Sequence, residues 1–65
     1  MNEHVRVGDR IRLVSMEDPD PIAVGTLGTI TGILPQPDWI QVEVDWDDGR
    51  TLMLTVPPDR VEIIE

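Results

Sequence analysis

Few residues in this sequence could carry covalent or acid–base chemistry. His4 is the only histidine, and an imidazole with no partner at a defined spacing cannot form a proton-relay dyad. Ser15 has no His or Lys beside it, and Val14-Ser15-Met16 lacks the Gly-x-Ser-x-Gly elbow that exposes a nucleophilic serine. Cysteine is absent, which removes a thiolate nucleophile, a thiolate zinc site, an iron–sulfur cluster and any disulfide. Carboxylates are plentiful and form two groups, Glu17, Asp18 and Asp20, and Asp45, Asp47 and Asp48. The run Asp45-Trp-Asp-Asp-Gly49 begins like a calcium loop, but Gly49 falls one place early and no Glu stands at the twelfth position. Asp-Gly is also ordinary hairpin chemistry. Gly25-Thr-Leu-Gly28 has no following Lys and no helix to aim N–H groups at a phosphate. The expectation is a non-enzymatic chain with no catalytic residue, no metal site and no cofactor.

Two other sets could bind rather than react. Arg10 and Arg12 share a strand parity, and Arg6 can join them across Gly8-Asp9. They would form a basic stripe for nucleic acid, or pair across strands with Glu43, Glu62 or another acid. Trp39 follows Pro37-Asp38, where an aromatic could serve as a binding anchor or fold over the end of the core. Trp46 shares parity with Val42 and Val44 and is expected to cap the core.

Composition weighs on these choices. Thirteen acidic residues against five arginines and no lysine give 65 residues a net charge of −8. Such a chain repels phosphate, which argues against a nucleic-acid partner. Two tryptophans, with no Phe or Tyr, are too few to line a proline-peptide groove or a base-stacking platform. No apolar run nears the roughly 20 residues that span a bilayer. The opening residues carry no basic segment followed by an apolar stretch, so a cytoplasmic location is expected. The length allows one small domain.

Alternation places the strands. Val5, Val7, Ile11 and Leu13 share one parity around Gly8-Asp9, with a strand at about 10–14. A proline-broken loop, Ser15 to Val24, leads to the β-rich stretch 25–34. There Gly28 and Gly32, four apart, are expected on one face as points of bending or close approach. Loop Pro35–Asp38 precedes the clearest strand, Ile40–Trp46, then a hairpin turn at 47–49, a return strand Arg50–Val56, a single 3₁₀ turn at 57–60 and a last strand 61–64. No segment has helical periodicity. Residues 1–6 are expected to be a flexible terminus, and 7–64 an all-β, five-stranded, partly open SH3-like barrel, a form that hides most strand edges. Its core by parity is Val7, Ile11, Leu13, Ile30, Ile33, Val42, Val44, Leu52, Leu54 and Ile63.

The ordered motifs Val7-Gly-Asp-Arg-Ile-Arg-Leu-Val-Ser-Met16, Asp18-Pro-Asp-Pro-Ile22, Gly25-Thr-Leu-Gly-Thr-Ile-Thr-Gly-Ile33, Val42-Glu-Val-Asp-Trp-Asp-Asp-Gly-Arg-Thr-Leu52 and Asp59-Arg60 resemble an uncharacterised domain family of bacteria, phages and mobile elements. The resemblance covers about residues 7–64. It implies an SH3-like barrel and no activity. Family members commonly read Ile-Pro-Gly-Val-Asp-Arg where this chain has Thr55-Val-Pro-Pro-Asp-Arg60, which alters the local turn. Gly-x-x-Gly-Thr-Ile also occurs in KOW-type modules.

The resulting expectation is a protein-binding module working through its first two loops, with Met16, Pro19, Pro21, Ile22, Pro37 and Trp39 as its surface. A competing role for Met16 and Ile22 is to plug the end of the barrel. Two alternative functions are an acidic inhibitor that imitates nucleic acid for a basic host protein, and a KOW-like nucleic-acid binder. Charge layout separates the three. A mimic merges its carboxylates on one face, a nucleic-acid binder keeps its Arg face clear of acids, and an ordinary module mixes both signs.

Overall fold

A computed structural model describes residues 5–64. Five antiparallel strands form one sheet: β1 (Arg10–Ser15), β2 (Leu27–Pro35), β3 (Ile40–Trp46), β4 (Leu54–Val56) and β5 (Arg60–Ile63), in the spatial order β4-β3-β2-β1-β5. The described residues contain no helix. The edge strands β4 and β5 are not paired with each other, so the sheet is not closed. It cannot be flat, however. Four strand spacings of about 4.8 Å separate its edges, whereas Val56 and Arg60 are joined by four residue steps, a reach of about 14 Å at most. The sheet must therefore curl until its two edges approach, and its concave face becomes the core.

Alternation selects that core. Ile11, Leu13, Ile30, Val42, Val44, Trp46, Leu54, Val56 and Val61 are buried along the strands, joined by Val5 and Ile22, with Ile33 and Leu52 packed more shallowly against them. Two expected core residues are corrected. Val7 is 61% exposed, because Gly8 turns with a φ of 95° and parity does not carry through that turn. Val5 is buried in its place, inside the segment expected to be flexible; residues 1–4, His4 among them, lie outside the described residues. Ile63 is 44% exposed although it sits opposite the buried Ile11: it ends the edge strand β5, whose core contact is made two residues earlier by the buried Val61.

Gly28 and Gly32 have different roles. A Cβ on Gly28 would lie 2.7 Å from Val44 Cγ1 and 2.8 Å from Trp46 Cε3, so the glycine lets β2 approach the core side of β3. A bulge between Ile30 and Gly32 then shifts the register and reverses the parity. Gly32 faces the opposite side, where the Glu43 carboxylate lies across it. The expected shared face for the two glycines is corrected accordingly.

Two connections also differ from expectation. The return strand starts at Leu54, not Arg50, because pairing with β3 covers only Ile40–Val42 against Leu54–Val56. The β4–β5 connection is not a 3₁₀ turn. It contains two cis peptide bonds, before Pro57 and Pro58, and the Asp59 N–H reaches back four residues to the Thr55 carbonyl at 2.9 Å. No helix among the described residues is long and apolar enough to cross a membrane.

Candidate functional site

The first loop, residues 16–26, is longer than the usual connection of about four to six residues, yet it is tied down at three places. Near its start, the Asp59 carboxylate accepts the Glu17 N–H through one oxygen and the Thr55 N–H through the other, both at 2.9 Å. Asp59 is the one buried charged side chain among the described residues. With both oxygens engaged by backbone donors, its burial is compensated. Midway, Arg50 reaches from the hairpin and donates to the Asp20 carbonyl at 2.8 Å and the Pro21 carbonyl at 3.2 Å, with the Asp20 carboxylate at 3.5 Å. On the return, Leu13 donates to the Thr26 carbonyl, and Gly25 donates to the Leu13 carbonyl. Inside the loop, Asp18 Oδ1 accepts the Asp20 N–H at 2.9 Å, a local turn that aspartate favours.

The six expected surface residues divide. Ile22 is fully buried, and Met16 packs against the core while its sulfur accepts the Ile22 N–H at 3.4 Å. These two plug the end of the sheet and are removed from the exposed surface. Pro19, Pro21 and Pro37 are exposed, and Trp39 is half-buried outside the core cluster. The second loop, residues 36–39, is closed by the Gln36 N–H donating to the Trp39 carbonyl at 2.8 Å.

The β4–β5 turn brings the loop bases together. Ile40, directly after Trp39, pairs with Val56, directly before Pro57. Asp59, at the far end of the same turn, holds Glu17. Both loops therefore flank one turn whose prolines, Pro57 and Pro58, are exposed. The surface offers stiff apolar rings and an indole, among the exposed acids Glu17, Asp20 and Asp38. It can pack against side chains of a protein segment and attract positive charge.

Asp59 and Arg50 organise this end, and neither stands out in the sequence by type or spacing. The pair Asp59-Arg60 appears among the family-like motifs, the only signal for Asp59. Arg50 likewise appears only inside the family-like motif Val42–Leu52.

The arginines of β1 are neutralised. Arg10 forms a two-pronged bond to Asp47, at 2.9 and 2.6 Å, and also donates to Thr29 Oγ1 at 2.9 Å. Its hydrogen bond, more than its charge alone, holds the Asp47 carboxyl below the usual carboxylate range, against a smaller upward push from desolvation. Arg12 pairs with Glu62 across the β1–β5 ladder, as cross-strand pairing predicts. In the hairpin, Asp48 Oδ1 accepts the Arg50 N–H at 2.9 Å.

Residues 1–64 match a family described as Domain of unknown function (DUF4314). No curated protein and no solved structure matches the chain.

Proposed function

This chain belongs to the DUF4314 family, and from that premise we propose that it is a non-enzymatic protein-binding module of SH3-like form, cytoplasmic, which takes its partner on the end formed by the first loop, the second loop and the β4–β5 turn. One observation carries the reading: a long loop is held in a single shape by a buried carboxylate and an arginine while its prolines stay exposed. Fixing a loop before the partner arrives lowers the ordering cost of association. The SH3-like form is supported by the strand order β4-β3-β2-β1-β5, the long first connection and the curl that the short β4–β5 turn requires.

Charge layout favours this reading over the other two. The described ion pairs place Arg10 on Asp47, Arg12 on Glu62 and Arg50 on Asp20. Signs are mixed along the sheet, as in an ordinary module. A nucleic-acid mimic needs acids gathered on one face, and a nucleic-acid binder needs its arginines clear of acids.

The test is amide chemical-shift mapping with a partner first captured from host lysate and then purified. Shifts should gather at 16–22 and 36–40, and Trp39→Ala should weaken binding with little change in the unfolding midpoint. Shifts along Arg10–Arg12 or at the 47–49 hairpin would overturn the assignment.

A further inference from the structure

The outer side of β3 carries a second feature, distinct from the loop end. Pairing between β3 and β4 stops at Val42 opposite Leu54. From there back to the hairpin, residues 51–53 run beside β3 outside any strand, and the Leu52 carbonyl accepts the Trp46 indole N–H at 2.8 Å. At the hairpin itself the Trp46 backbone N–H still donates to the Arg50 carbonyl. The ladder is thus open between two pinned ends. The opening is a groove of about 430 Å³ lined by Thr31, Glu43, Val44, Asp45, Thr51 and Met53.

Its lining has a divided chemistry. Met53, 47% exposed, supplies the apolar side chain beside the Thr31 and Thr51 methyl groups, while the Val44 side chain points to the core on the other face; the Gln41 amide donates to the Met53 sulfur at 2.7 Å. Glu43 and Asp45, two apart on β3, supply carboxylates from the same face. Room for the first is made by the β2 bulge: a Cβ on Gly32 would lie 2.5 Å from Glu43 Oε1. The ion pairs among the described residues engage Asp47, Glu62 and Asp20, and neither Glu43 nor Asp45. A groove walled by Met53 and by two carboxylates that no ion pair among the described residues engages, on a chain of net charge −8, is complementary to a long aliphatic side chain ending in a cation.

We propose that this groove receives an arginine side chain from a basic segment of a protein partner. The alkyl stem lies along Met53 and the Thr31 and Thr51 methyl groups, and the guanidinium reaches Glu43 and Asp45, whose oxygens match its planar fork of donors. This site stands independently of the loop end and survives if that reading fails.

The probe is the peptide acetyl-Gly-Arg-Gly-Arg-Gly-amide, titrated into the isotope-labelled full chain at low ionic strength, where weak charge pairing is least screened. Saturable amide shifts are expected at Thr31, at 43–45 and at 51–53. The citrulline peptide, equal in shape but uncharged, should leave them unmoved. Affinity should fall about tenfold in the Glu43→Gln, Asp45→Asn double variant, the scale expected for losing two exposed charge pairs. Met53→Ser, at an exposed position, should weaken the peptide without altering charge, and serves if the double variant folds poorly. Equal affinity in these variants would overturn the proposal. So would peptide shifts confined to 16–22 and 36–40, which would support the loop end alone. Concentration-dependent shifts at 54–56 without peptide would also overturn it, since a second copy would then occupy this side of the sheet.

Discussion

The first loop and the β3–β4 return leave the ladder in opposite ways. In the first loop a carboxylate replaces backbone acceptors: Asp59 takes the N–H groups of Glu17 and Thr55 and lets a long connection stay ordered. In the return a side-chain donor does the converse: the Trp46 indole takes the Leu52 carbonyl, and a short connection loses strand pairing over 51–53. The loop gains a fixed shape, and the return gains an opening. In each case one buried side chain pairs backbone groups that the ladder leaves, because buried polar groups must be paired by something.

The largest effect expected from breaking this contrast is at Asp59. Asp59→Ala leaves two backbone N–H groups without their acceptor at a part-buried site. Each bond to a charged group is worth about 1.5–3 kcal/mol, so a loss of about 3 kcal/mol or more is expected. For a domain of this size that lowers the melting temperature by more than about 10 °C. Thermal unfolding checks it, and an unchanged midpoint would show that the loop is held by other means. Next is Ile22→Ala, expected to cost about 2–4 kcal/mol by opening a cavity under the loop. Val24→Ala, at a 73% exposed site in the same loop, should cost under about 0.5 kcal/mol. Equal losses in chemical denaturation would mean that the loop is not anchored through its core face.

How much of this contrast can be read from sequence depends on whether periodicity or a single contact decides the matter. Ile40–Trp46 is legible to the residue, because strict alternation over a strand buried on one face admits one register. The core position of Trp46 follows from the same alternation and the hairpin at Gly49 from its Asp-Asp-Gly turn residues, whereas the sequence leaves the acid that pairs with Arg12 open and the fold selects Glu62. Alternation fails where the backbone steps out of phase. Val7 lies before the Gly8 turn, and Gly32 lies beyond the β2 bulge. The start of β4 is misjudged for another reason. Arg50–Met53 has strand-like residues, yet 51–53 lie outside the ladder, with the Leu52 carbonyl accepting the Trp46 indole N–H instead. Of the candidate surface, exposure of the prolines is legible, but Met16 and Ile22 serve the core. Asp59 looks like any polar turn residue until Glu17, 42 positions away, is folded against it.

A smaller effect is expected on the open side. Trp46→Phe keeps most of the ring's packing and removes the indole N–H, leaving the Leu52 carbonyl without that donor. A loss of about 1 kcal/mol is expected, plus a further amount for the smaller ring. The informative readout is local. If the indole alone holds the ladder open, residues 51–53 should gain cross-strand contacts to 43–45 in nuclear Overhauser spectra. A segment that stays apart would place the cause in the Thr51–Met53 backbone instead.

The smallest effect expected is on pH dependence, at the edge where the hairpin meets β1. Arg10 holds Asp47 by a two-pronged hydrogen bond and lowers the carboxyl from its ordinary value of 3.8. The sign follows from proton binding: above that ordinary value, aspartate is ionised in both folded and unfolded chains, and the bond contributes fully. As pH falls below 3.8, the unfolded chain takes up the proton first, and the contribution is lost through the lower folded midpoint. Because the pair is solvent-exposed, the stability change is expected to be slight and reduced by salt. The direct measurement is a carboxyl-carbon titration of Asp47 in the parent and in Arg10→Gln. The midpoint should rise in the variant, since a neutral amide removes the charge and the fork of donors together. A midpoint that does not move would mean that the Arg10 bond seen across β1 and the hairpin is not maintained in solution, and that the hairpin is positioned by its other ties, among them the Asp47 N–H donating to the Leu27 carbonyl and Arg50 donating to the Asp20 carbonyl.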